Sequence, residues 1–168
     1  NKELASFGSL FEQRLASKMR KKLGIVSSAQ PEDTNLIREW LRYLETEQLD
    51  YTLSFRNLAG LTTNDSANGF FKKTAAFQDF YRLWRKRIQN QELETSKIKE
   101  KMNRVNPVFI PRNHRIEQVI ELGLKGDFSL FREMNEVLRK PYEEQEIFNS
   151  YKSAPRPEQV VQATFCGT

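Results

Sequence analysis

The chain has 168 residues, of which 38% are apolar and 29% charged, with a net charge of +5, one cysteine and one histidine. That length suits one domain with a single core, and the charged-rich balance fits a helical protein with long solvated faces. One cysteine excludes an internal disulfide framework and a cysteine-based zinc site; one histidine leaves metal binding to a carboxylate cluster, and none stands out. No apolar run approaches the length of a membrane span and no signal peptide opens the chain, so the expected compartment is the cytoplasm or an organelle matrix. The first residue is Asn1 and helical periodicity begins almost at once, as expected of a piece of a longer protein.

Leu4, Phe7, Phe11, Leu15, Met19 and Leu23 recur at steps of three and four, which predicts an amphipathic helix stopped by Gly24. A loop follows from Ser27 to Pro31. Glu32 and Asp33 then favour the start of a helix that carries Leu36, Ile37, Trp40, Leu41 and Leu44. Asp50 is placed to cap a short third helix through Tyr51, Leu53, Phe55 and Leu58, ended by Gly60.

Beyond the polar loop Asn64 to Gly69, a long helix is expected with Phe70, Lys73, Phe77, Phe80 or Tyr81, Trp84 and Ile88 on one face. Gln89 to Arg104 reads as a further helical stretch, broken near Asn90. Asn106-Pro107 must interrupt it, because the residue before proline avoids the α region. Asn113 is a good cap for a helix holding Ile116, Val119, Ile120 and Leu124. Gly126-Asp127 reads as a helix-to-helix turn leading into Leu130, Phe131, Met134, Val137 and Leu138, with Pro141 as the stop. From about Lys152 the chain is Pro-rich, and 160–165 is expected to be a short extended tail.

Chemistry is sparse. The seven glycines form neither GxGxxG nor GxxxxGK, and no kinase catalytic loop is present. The basic clusters Lys18 to Lys22, Arg82 to Arg87 and Lys97 to Arg104 suit phosphates, but interleaved acids make solvated helix faces the better reading, and nucleic acid is not the expected partner. Arg112, His114 and Arg115 fall in a first helical turn, where unpaired N–H groups attract anions. The competing and commoner arrangement is a cap by Asn113. Cys166, third from the end, is a poor core residue and a reachable thiol. It is either incidental or paired with a sulfur outside this chain.

Several strings together are more specific. Met19-Arg20-Lys21-Lys22-Leu23-Gly24 is followed by Asp50-Tyr51-Thr52-Leu53-Ser54-Phe55-Arg56-Asn57-Leu58, then Asn106-Pro107 and Pro111-Arg112-Asn113-His114. Gly126-Asp127-Phe128, Leu138-Arg139-Lys140-Pro141-Tyr142 and Phe165-Cys166-Gly167-Thr168 complete the order. This resembles the C-terminal portion of the selenoprotein O family, known in bacteria as YdiU. The resemblance implies a larger protein whose N-terminal part is similar to a protein kinase, binds ATP with magnesium or manganese in a flipped orientation, and transfers AMP to hydroxyl side chains of protein substrates. Those catalytic and nucleotide-binding motifs are not in this chain, so no catalytic, cofactor or metal residue is carried over. Some members place selenocysteine third from the end, and the resemblance therefore implies a redox role for Cys166, paired with a cysteine on the catalytic part.

The sequence thus predicts an all-α, irregular multi-helix bundle of about six helices, with a helical domain over 1–151 and an extended tail over 152–168. The expected function is to support the kinase-like part of a protein adenylyltransferase. The alternative is an autonomous basic helical module that binds nucleic acid or acidic partners.

Overall fold

The computed structural model describes residues 2–63 and 69–161, with side chains from residue 6 onward. The described residues are all-α. They form α1 (Lys2–Lys22), α2 (Glu32–Thr46), α3 (Tyr51–Gly60), α4 (Ala75–Gln89), α5 (Thr95–Val105), α6 (Asn113–Leu124) and α7 (Ser129–Arg139), with 3₁₀ segments at Glu146–Tyr151 and Pro157–Gln159. The break at Asn90 separates α4 from α5, which brings the count of α-helices among the described residues to seven. The chain divides into two compact units, Asn1–Asn106 and Pro107–Thr168.

In the first unit the core forms around Trp40 of α2. Its ring stacks on Phe80 of α4 at 4.8 Å and meets Phe55 and Phe71 edge-on at 5.7 and 5.6 Å. Such offset and edge contacts are the favoured aromatic geometries. Trp84 donates from Nε1 to the Leu23 carbonyl at 2.8 Å, and both tryptophans are fully buried. Leu58, Ile88, Ile98 and Met102 fill the rest of this core.

The helix ends follow local chemistry. Asp50 accepts from the Leu53 N–H at 2.7 Å, as the sequence predicts. Gly24 ends α1 in the left-handed region (φ 78°), with Ile25 N–H on Arg20 O and Gly24 N–H on Lys21 O, the Schellman arrangement. A Cβ at Gly24 would stand 2.7 Å from Met102 Sδ and 2.9 Å from Ile98 Cγ2, so glycine is required for space as well as for φ. α4 starts later than expected: Thr74 is its cap, accepting from Phe77 N–H, and Phe70 and Phe71 precede the helix. A threonine that can satisfy an orphan N–H outcompetes the extra aromatic turn.

Arg87 in the last turn of α4 and Gln91 just beyond the helix clasp the loop between α1 and α2. Gln91 accepts from Val26 N–H (2.7 Å) and Ser27 N–H (3.0 Å) and donates to Gly24 O (2.9 Å). Arg87 donates to Ser27 Oγ, Ser28 O and both oxygens of Asp33. Asp33 and Arg87 are therefore buried. The sequence predicts Asp33 as a helix-start charge and Arg87 as part of a solvated cluster; the structure places them in one ion pair.

In the second unit, Val108, Phe109, Val137 and Tyr151 form a small buried core, with Leu130, Met134, Leu138 and Phe148 packed on it. The N–H groups of Val108 and Phe109 both reach the carbonyl of Pro141, at 2.7 and 3.1 Å. This ties the extended link to the end of α7, where Pro141 stops the helix as predicted. Gly126 (φ 81°) closes α6. Asp127 accepts from Ser129 N–H at 2.8 Å to start α7. Burial, Glu133 and a counteracting Arg115 leave the Tyr151 phenol pushed up to about 12.

Candidate functional site

Arg112 stands at the N-cap of α6 and makes no side-chain cap bond, and Asn113 is the first helical residue. Asn113 is therefore not the cap that the sequence predicts. The extended backbone of a capping position falls on Arg112 (φ −71°, ψ 136°), so the helix begins one residue earlier and Asn113 lies in its first turn. The Arg112 side chain accepts from none of the leading N–H groups of this 12-residue helix; the Arg112 carbonyl takes those of Arg115 (2.9 Å) and Ile116 (3.0 Å), which leaves the N–H groups of Asn113 and His114 to other acceptors. Arg112 and His114 are both buried, and His114 Nδ1 has no hydrogen-bond partner among the described residues. Burial, then the charges of Arg115 and Arg112, hold the His114 imidazole below its ordinary pKa.

The three residues predicted as an anion contact do not act together. Arg112, Asn113 and His114 line a cleft of about 270 Å³ with Ile110, Pro111, Pro155, Gln159, Val160 and Val161. Arg115 is engaged elsewhere: it donates to Gln118 Oε1 and Ser150 O, both at 2.9 Å, and lies 5.1 Å from the Tyr151 ring centre.

The basic clusters also divide. Arg85 donates to the carbonyls of Leu61 and Thr62, and Arg87 is buried on Asp33, so the middle cluster is largely structural. Arg20 and Lys21 of α1 meet Lys101 and Arg104 of α5 around a cleft of about 380 Å³ that also includes Ser17 and Ser27. Here Glu100 pairs with Lys97 and Arg104; the Lys97 bond and charge, then Arg104, hold its carboxyl below the usual range. Lys22 packs its ammonium 4.6 Å from the Phe55 ring centre, and burial pushes its pKa down.

The α1 stripe is not covered along its length. Met19 and Leu23 enter the core, but Phe7, Leu10, Phe11 and Leu15 are 47–64% exposed, with Phe7 and Phe11 stacked on each other at 6.2 Å. A regular 3–4 spacing marks a face to be buried and carries no information on what buries it.

Cys166 lies outside the described residues. Among the described residues no group of three or more His, Cys, Asp and Glu comes together as a metal site would, and the lining of the clefts offers no ligand set for magnesium or manganese. No helix among the described residues is long and apolar enough to cross a membrane.

Comparison with known proteins places this arrangement. The family model for protein adenylyltransferase SelO matches residues 1–139. The chain is 38% identical over 169 residues to the protein nucleotidyltransferase YdiU of Bradyrhizobium diazoefficiens, covering 98% of this chain and 34% of the relative. It is 37% identical over 173 residues to that of Rhizobium johnstonii, with 100% of this chain and 34% of the relative covered. The protein of the same name in Rhodopseudomonas palustris is 38% identical over 170 residues, with 98% and 34% covered. The chain thus spans about a third of the length of these relatives. With a family model over most of its length and relatives aligned along nearly all of it, this chain belongs to the SelO protein adenylyltransferase family.

Proposed function

We propose that this chain is the helical C-terminal part of a protein adenylyltransferase, which packs on a kinase-like N-terminal part and does not transfer AMP by itself. The observation that carries this reading is the bare apolar stripe of Phe7, Leu10, Phe11 and Leu15. A continuous apolar face of this kind marks an interaction surface, and the relatives hold about two thirds of their length beyond the region this chain matches. ATP, its magnesium or manganese and the protein substrates then belong to the remainder. Cys166 serves as a redox handle that pairs with a cysteine there, which requires only that the two sulfurs reach disulfide geometry.

Calorimetry separates the parts. The 168-residue chain titrated with ATP and magnesium gives no saturable heat, whereas the full-length protein binds. Tight stoichiometric binding by the chain alone overturns the reading. For the redox element, Cys166→Ser in the full-length protein removes the oxidant dependence of AMP transfer, and an unchanged response overturns that part.

The cleft of Arg20, Lys21, Lys101 and Arg104 favours a second reading, a basic module for nucleic acid or acidic partners. Retention of a nucleic acid probe that falls steeply with salt supports it; no retention at low salt removes it.

A further inference from the structure

We propose that the cleft at the start of α6, formed by Arg112, Asn113 and His114 and walled by Ile110, Pro111 and Val160, binds an oxyanion, a phosphate or a carboxylate, carried on an apolar body.

The helix supplies the first element. α6 begins without a side-chain cap, and with Arg115 N–H held by the Arg112 carbonyl, the N–H groups of Asn113 and His114 are the ones offered to a ligand, with the positive end of the helix dipole behind them. Its 12 residues are enough to sustain that dipole. The second element is independent of the helix. His114 is 6% exposed and lines the cleft, yet its Nδ1 has no partner among the described residues. A buried polar atom of this kind is normally satisfied, and a ligand oxygen in the cleft would satisfy it. Charge is the third. Among the described residues the cleft is lined by Arg112 and His114 and by no Asp or Glu side chain, which favours an anion over a cation. Arg115 adds to the positive field from one turn away while its donors stay on Gln118 and Ser150.

The walls set the class of ligand. Ile110, Pro111, Pro155, Val160 and Val161 are apolar, and the volume of about 270 Å³ exceeds that of a bare phosphate or carboxylate group. An ester or acid with a compact apolar group fits both features. The proposal rests on the second unit alone and stands or falls separately from the assignment of the chain to an adenylyltransferase.

His114 is the only histidine in the chain, so its ring signals in an NMR spectrum are unambiguous. The 168-residue chain is titrated with sodium phosphate and, separately, sodium acetate, at fixed pH and with sodium chloride holding ionic strength constant. Saturable shifts of the His114 ring and of the Asn113 and His114 amides are expected in at least one arm. A response to phosphate alone assigns a phosphate ester, and a response to acetate alone assigns a carboxylate. Arg112→Gln should weaken binding by about tenfold. Because Arg112 is buried, Asn113→Pro provides a second variant: proline suits the first helical position and the extended residue before it, and it removes one N–H donor. Shifts that do not saturate, that chloride reproduces, or that both variants leave unchanged overturn the proposal.

Discussion

Arg87 Nε lies 2.8 Å from Asp33 Oδ1, and its Nη2 lies 3.3 Å from Oδ2, with the two side chains 6% and 2% exposed. The pair is completed by Gln30 N–H on Asp33 Oδ2 and by the bonds of Arg87 to Ser27 and Ser28. It joins the end of α4 to the start of α2 and holds the loop between α1 and α2. Removing one partner leaves a buried charge uncompensated. Arg87→Met should therefore cost about 3–5 kcal/mol in urea unfolding. The double variant with Asp33→Asn should recover part of that loss, and additivity of the two single effects contradicts a direct pair.

Gly24 and Gly126 share a left-handed backbone but not their surroundings. Gly24→Ala adds a Cβ 2.7 Å from Met102 Sδ, whereas the same change at Gly126 meets nothing within 4 Å. The second substitution should cost about 1–2 kcal/mol for backbone alone. The first adds an overpacking cost of about 1–3 kcal/mol, moderated by the flexibility of Met102. Equal losses at the two sites in thermal or urea unfolding contradict the packing described for α1 and α5.

His114 makes stability depend on pH. Its folded pKa is held below the ordinary value by burial, Arg115 and Arg112, so the unfolded chain binds the proton more readily. Stability from this group is fully present above the unfolded value of about 6.5. It is lost progressively as the pH falls from there toward the lowered folded value. Comparing unfolding at pH 7.5 and 5.5 for wild type and His114→Gln isolates the effect. The variant should show the smaller acid loss, and identical losses contradict it.

Phe7→Glu with Phe11→Glu tests the bare face of α1. Both side chains are exposed, so stability of the 168-residue chain should change by no more than about 0.5 kcal/mol. Self-association of the isolated chain, read by light scattering, should fall. In the full-length protein the same pair should lower the melting temperature. A large loss in the isolated chain means that the face already packs within it.

Elements set by neighbouring residues were legible in the sequence. The Asp50 cap, the Gly24 and Gly60 ends of α1 and α3, and the breaks at Asn90, Asn106-Pro107 and Pro141 all depend on contacts a few residues apart. The Asp33–Arg87 pair was not legible, because its partners stand 54 positions apart and each charge has a sufficient local explanation. The start of α6 differs from the sequence expectation by one residue: Asn113 is a good cap by residue type, but the extended capping backbone falls on Arg112. The α1 stripe is legible as apolar, yet periodicity does not say whether the same unit or another part of the protein covers it.

The most direct test of the account is hydrogen exchange, read by mass spectrometry, at residues 6–15 of α1 in the isolated chain and in the full-length protein. If this face packs on the remainder, its amides should exchange at least about tenfold more slowly in the full-length protein, because opening the helix there also breaks the interface. Equal exchange in the two would contradict the claim that this chain is a supporting part docked through α1.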